Sequence, residues 1–165
     1  MHQHILLAVA LQGWEEFSPH ALAARDVAVS LAKGTGAKLS VLSVYEYENL
    51  DVSGLGPEEL GRFRETQMQR IDALMEQKLR AFLEGIPKDD LTVTPLLKAG
   101  EVRPLILRTA ASLGVDLLVI GAHSKRSFLD VLLGGTAAYV SRRAPCPVVM
   151  VQPGPEEKQL TPVTE

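Results

Sequence analysis

The chain of 165 residues has a single cysteine, Cys146, so no disulfide can close within it. That points to a reducing compartment, with the cytoplasm as the default expectation. No run of about 18 apolar residues occurs, which is what a membrane-spanning helix requires. Met1-His2-Gln3-His4-Ile5 also lacks the basic region and apolar stretch of a secretory signal. There is no basic excess: 17 Lys+Arg stand against 20 Asp+Glu, a formal charge of -3. A partner recognised through nucleic-acid phosphates is therefore not expected, nor is a membrane partner. The common catalytic signatures are missing too. The chain contains no Gly-x4-Gly-Lys-Ser/Thr, no Gly-x-Gly-x2-Gly after a strand and no Gly-x-Ser-x-Gly elbow.

What is there is ordinary globular material, 46% hydrophobic and 22% charged, at a length close to one domain. Ile5-Leu6-Leu7-Ala8-Val9-Ala10 reads as a strand buried on both faces. Ser18-Pro19 supplies an N-cap and a proline for the first helical position. Ala21, Ala24, Ala28, Leu31 and Ala32 follow at helical spacing, a stripe small enough to lie close against a sheet, with Gly34 or Gly36 as the stop. A second strand is expected over 38–47 and a long helix from Pro57 to Gly85, with Glu58 and Glu59 favoured by its dipole. Leu60, Phe63, Ile71, Leu74, Leu79 and Phe82 mark its apolar face, and Met68 and Met75 read as core or interface filler. Residues 91–97 alternate as a third strand, which Pro95 places at an edge. A helix over 101–113, a strand over 115–120, a helix ending before Pro145 and a strand over 147–152 complete the series. The tail from 153 to 165, rich in proline and glutamate, reads as disordered. Strands alternating with helices imply an α/β fold: a five-stranded parallel sheet sandwiched by helices. Ligands bind such sheets beyond the carboxyl ends of the strands, where the strand order reverses. Here those are the loops after strands 1, 2 and 4.

The loop after the fourth strand carries the most chemistry. Gly121 follows a buried strand directly, where a missing side chain allows close approach to the backbone. Gly134-Gly135-Thr136 opens the next helix, whose free amides suit a phosphate, and Lys125 and Arg126 add positive charge. The plain alternative is a glycine-bearing connection with a solvated basic tip. His123 is the best placed of the histidines but has no identifiable carboxylate or nucleophile partner. His2 and His4 share a strand face with no third ligand for a metal. Tyr45 and Tyr47 lie on one side of the second strand, where they either stack a base or, the favoured reading, cover the sheet edge. Trp14 either closes the pocket or packs on the surface. Cys146, between two prolines, reads as a small hydrophobe and not as a reactive thiol.

The segment from Gly121 to Thr136, continued by Ala144-Pro145-Cys146-Pro147-Val148-Val149-Met150-Val151, resembles the C-terminal signature of the universal stress protein family. Gly36-Ala37-Lys38-Leu39 and Gly114-Val115-Asp116-Leu117-Leu118-Val119-Ile120-Gly121 are similar as well. The resemblance covers roughly residues 3–152, which sets residues 1–152 as one domain and leaves 153–165 as the tail. It implies a homodimer formed through the last strand, Val148–Val151, and a stress-response regulator. One branch of the family binds ATP or AMP, with Mg only alongside ATP; another has lost the nucleotide. The binding pattern, Gly-x2-Gly-x9-Gly followed by Ser or Thr, is matched at Gly121 and Gly134. Its second glycine falls on Ser124 and its hydroxyl residue on Gly135, with Thr136 one place later. The Asp that the branch carries after the first strand is Ala10 here. The implied site is thus Gly121, His123, Ser124, Gly134, Gly135 and Thr136 around phosphate and ribose, with Ala10 and Val44 or Tyr45 at the nucleoside. No catalytic residue is implied, and at most slow ATP hydrolysis. The alternative function is a nucleotide-free homodimeric module acting through protein partners.

Overall fold

The computed structural model describes residues 2–13, 15–47, 52–122 and 135–153. Strands and helices alternate: β1 (His4–Val9), α1 (Pro19–Thr35), β2 (Lys38–Tyr45), α2 (Pro57–Glu84), β3 (Val93–Ala99), α3 (Val102–Leu113), β4 (Leu117–Gly121), α4 (Gly135–Arg143) and β5 (Val148–Val151). The strands form one five-stranded sheet in the order β3-β2-β1-β4-β5, every neighbouring pair parallel. The chain moves outward from β1 through β2 to β3, then returns to the far side of β1 for β4 and β5.

Because both faces are covered, the strands are apolar at consecutive positions, and their alternation sorts side chains between two cores. Ile5, Leu7, Val9, Leu39, Val41, Tyr45, Leu117 and Val119 face α1 and α2. Leu6, Ala8, Leu42, Val44, Leu118 and Ile120 face α3 and α4. The stripe Ala21, Ala24, Ala28 and Ala32 is what α1 buries. Ser18 caps that helix by accepting from the Ala21 amide at 3.1 Å, and Gly36 ends it at φ 71°, a left-handed conformation that glycine adopts without penalty. On α2, Phe82 is fully buried, meeting the Phe17 ring edge-on at 5.2 Å and lying 5.0 Å from the Arg25 guanidinium. Arg25 also donates to the Phe82 carbonyl at 2.9 Å.

Three expectations change. β2 lies inside the sheet, between β3 and β1, so Tyr45 and Tyr47 cannot cover a sheet edge. Alternation on a strand shows which residues share a side, not which strands flank it. The edges are β5 and β3, and Pro95 does sit on an edge. β3 runs later than 91–97, because its ladder with β2 continues to Tyr45 opposite Ala99 and closes with the Gly100 amide donating to the Tyr45 carbonyl at 2.9 Å. On α2, Leu74 points outward, 49% exposed, while Met75 is buried and Met68 exposed. The core uses only Met75, Leu79 and Phe82. The first half of this 28-residue helix has no buried residue. Local features stabilise it: Pro57 opens it, and the Glu59 carboxylate accepts from the Gly56 amide at 3.2 Å.

At the amino ends of the strands, Asp116 accepts from the amides of Gln3 at 2.7 Å and His4 at 3.4 Å, and lies 3.5 Å from His2 Nδ1. The Gln3 amide does most to hold this carboxyl below its ordinary range. The His4 ring bonds the Ser40 hydroxyl at 2.8 Å, so His2 and His4 have separate partners. Residues 154–165, the body of the expected tail, lie outside the described residues.

Candidate functional site

The strand order reverses between β1 and β4, and their carboxyl ends open the crevice where doubly wound sheets take ligands. Right-handed crossovers also bring the start of every helix to this end of the sheet. Ala10, just past β1, is exposed, whereas Leu11 turns back and is buried. The turn is fastened on two sides. Gln12 donates its side-chain amide to the Glu46 carbonyl at 2.7 Å and accepts from the Glu46 amide at 2.9 Å, tying the loop after β1 to the end of β2. Lys78 of α2 donates to the Leu11 carbonyl at 3.3 Å.

Val44 and Tyr45, adjacent at the end of β2, point to opposite faces. Val44 belongs to the layer of α3 and α4. Tyr45 is buried toward α2, where its hydroxyl donates to Asp72 Oδ1 at 2.5 Å, and Tyr47 donates to the same oxygen at 2.7 Å. Their rings meet edge-on at 5.8 Å. Burial, then the bond to Asp72, pushes the Tyr45 hydroxyl far above its ordinary range, and the bond to Asp72 raises Tyr47. Both remain donors at neutral pH. Of Val44 and Tyr45, the alternatives expected at a nucleoside, only Val44 faces the layer in which α4 begins.

Gly121 ends β4, and α1 packs against the side on which a side chain would stand. A Cβ there would stand 3.1 Å from the His20 carbonyl oxygen and 3.2 Å from the His20 Cβ. The close approach is made by the first turn of α1. Gly135 opens α4, and Thr136 follows half-buried in its first turn. A Cβ at Gly135 would lie 2.7 Å from Nη2 of Arg103, reaching over from α3. The Arg103 guanidinium is 5.2 Å from the Tyr139 ring centroid, and that of Arg143 is 4.0 Å from the same ring. Trp14, His123, Ser124 and Gly134 lie outside the described residues.

Sequence reasoning passed over Gln12, Asp72 and Arg103. A signal for Arg103 existed, since the crossover rule puts the start of α3 at the same end of the sheet as the start of α4. Gln12 and Asp72 carried none, because their partners come from loops and faces that no periodicity encodes. Cys146 packs half-buried against the α3/α4 core, and burial raises its thiol, as suits the reading of a small hydrophobe. Among the described residues no three His, Cys, Asp or Glu gather as metal ligands, and no helix is long and apolar enough to cross a membrane.

Residues 1–152 match the universal stress protein family. A universal stress protein of Thermus aquaticus is 31% identical over 138 residues, covering 82% of this chain and 92% of its own length. Among solved structures, an Arabidopsis thaliana universal stress protein family protein with AMP bound superposes with a TM-score of 0.61 at 16% identity, covering 97% of both chains. A universal stress protein in complex with cAMP gives 0.57 at 21% identity, covering 93% of this chain and all of its own. At these identities the two structures speak for the fold.

Proposed function

Because the chain belongs to the universal stress protein family, we propose that it is a stress-response regulator that binds ATP or AMP beyond the carboxyl ends of β1, β2 and β4. The observation that carries this reading is the start of α4 in the same layer as Val44, beside the point where the strand order reverses. Val44 gives an apolar surface for a base, and the first-turn amides of α4 at Gly135 and Thr136 are donors for phosphate. Gly121, Ser124, Gly134 and His123 would complete the phosphate and ribose contacts, with Ala10 at the nucleoside. The donor set fits the group: the first-turn amides of an α-helix have no partner within the helix, and the Arg103 guanidinium lies beside Gly135. That structures of like fold carry AMP and cAMP supports the same reading. When bound, the nucleotide would supply signalling information and not a reacting group, and no residue is assigned a catalytic role. Mg would accompany ATP only.

The protein is proposed to act in the cytoplasm as a homodimer through Val148–Val151, an edge strand whose Met150 is exposed. A second reading, a nucleotide-free dimeric module working through protein partners, draws support from Gly121, whose open side is filled by α1, and from Ala10, which offers no carboxylate. Calorimetric titration of nucleotide-stripped protein with Mg-ATP and with AMP separates the two. Saturable binding at one site per chain is the expected result. No heat at high micromolar nucleotide, repeated at a second temperature, overturns the sensor and leaves the partner-binding dimer.

A further inference from the structure

The layer of α3 and α4 has a charge the whole chain does not. α3 contributes Arg103 and Arg108 and α4 contributes Arg142 and Arg143, and neither helix contains an Asp, a Glu or a Lys, in a chain of formal charge -3. Among the described residues none of these arginines pairs with a carboxylate. Two of them, Arg103 and Arg143, are gathered on the single ring of Tyr139. The electron-rich ring attracts each guanidinium and partly offsets their like charge. Arg103 is also the side chain that occupies the space above the first residue of α4, 2.7 Å from where a Cβ at position 135 would stand. Position 135 is where the nucleotide-binding pattern puts its hydroxyl residue. A hydroxymethyl there would push the exposed tip of Arg103 aside.

We propose that Arg103 does at the phosphate site what a hydroxyl at position 135 would do, so that this chain holds the phosphates of its nucleotide with a guanidinium from α3. The inference rests on the nucleotide reading above and deepens it. The two groups differ in kind. A hydroxyl donates one hydrogen bond and no charge, whereas a guanidinium is always protonated and presents a planar fork to two phosphate oxygens. Glycine at 135 is then the residue that makes room for the fork. The ligand class follows: nucleotides with several phosphate charges, ATP before AMP, with an affinity that falls as salt rises. Tyr139 is the positioning residue, fixing the long Arg103 side chain by stacking so that less rotamer freedom is lost on binding.

The test is a calorimetric titration of ATP into wild type, Arg103→Ala, Arg103→Lys, Gly135→Ser and the double variant Arg103→Ala/Gly135→Ser, each at low and high KCl. Thermal unfolding without nucleotide serves as the control for folding. Arg103→Ala is expected to weaken ATP about tenfold or more, the loss of a charged hydrogen-bonding pair, and to flatten the salt dependence while unfolding near the wild-type temperature. Arg103→Lys is expected to keep the salt dependence but not the full affinity. Gly135→Ser should weaken ATP in the wild-type background, where it displaces the guanidinium tip, yet strengthen it in the Arg103→Ala background, where its hydroxyl displaces nothing. Unchanged ATP affinity in Arg103→Ala overturns the inference and leaves the nucleotide site standing, as does weaker binding with an undiminished salt dependence. Absence of ATP binding by wild type overturns both.

Discussion

Gly121→Val tests whether that glycine serves the fold or a ligand. In the structure a Cβ at 121 meets the His20 carbonyl oxygen at 3.1 Å and the His20 Cβ at 3.2 Å, a few tenths of an ångström inside comfortable contact. The neighbour includes backbone of the first helical turn of α1, which Ser18 fixes through the Ala21 amide. It cannot swing aside as a side-chain tip would. Gly121 does not have a positive φ, so backbone strain plays no part and the clash stands alone. Valine adds two methyl groups beyond the offending Cβ. Overpacking of this kind costs about 1–3 kcal/mol, and removing a strand glycine returns about 0.5–1 kcal/mol. The expected net loss for Gly121→Val is about 2 kcal/mol, and for Gly121→Ala close to zero. In urea the valine variant should unfold at a lower midpoint with the same slope, because the surface exposed on unfolding hardly changes. For a domain of this size the loss corresponds to a fall in Tm of about 4–8 °C. A Gly121→Val protein that unfolds at the wild-type midpoint but no longer takes up nucleotide would refute the reasoning and leave Gly121 serving the ligand alone.

Phe82→Ala removes a fully buried ring that joins α2 to Phe17 and Arg25, and should cost about 3–5 kcal/mol in urea unfolding; a loss under about 1 kcal/mol would show that the surroundings collapse into the space. Asp116 gives a pH dependence whose sign is fixed. Its carboxyl is held below the ordinary range, chiefly by the Gln3 amide, so the folded chain binds fewer protons there than the unfolded chain. The stability it contributes is present above the unfolded pKa and lost as pH falls through the lower, folded one. Comparing wild type with Asp116→Asn by urea midpoint between about pH 5 and pH 2 should show a shallower decline in the variant; parallel curves would count against this assignment.

How far the sequence could be read depended on what kind of information each feature needed. Ser18-Pro19, Pro57, Gly36 and Gly85 marked helix ends because capping is decided within a few residues, and all lie at the boundaries observed. The unbroken apolar runs in β1 and β4 announced strands covered on both faces, and the alternation of strands with helices gave a parallel sheet. The order of strands was a different matter, and with it the surroundings of Tyr45 and Tyr47. Parity along β2 put them on one side, but only the assembled sheet places Asp72 of α2 beneath both hydroxyls. Leu74 was misread because helical periodicity finds an apolar face without saying how much of the helix has something to face. Gly121 was legible as a close approach, but the approaching group came from α1, far off in sequence. Arg103 is the opposite case: the motif signal lies in the loop after β4, and the arginine enters from the neighbouring helix.

The uneven burial of α2 has a consequence for how this protein can change. Its 28 residues extend about 42 Å, against about 26 Å for the eight residues of β2, and the core draws on only the later turns. The opening turns are therefore written in a separate vocabulary from the rest of the chain, answerable to helix propensity and capping, with no buried residue among them. Substitutions there cross no core, and whole turns can be gained or lost without altering the register of a single strand. Evolution and the protein engineer find the same thing in that half of the helix: a margin on which new recognition can be inscribed while the sheet beneath is left as it was.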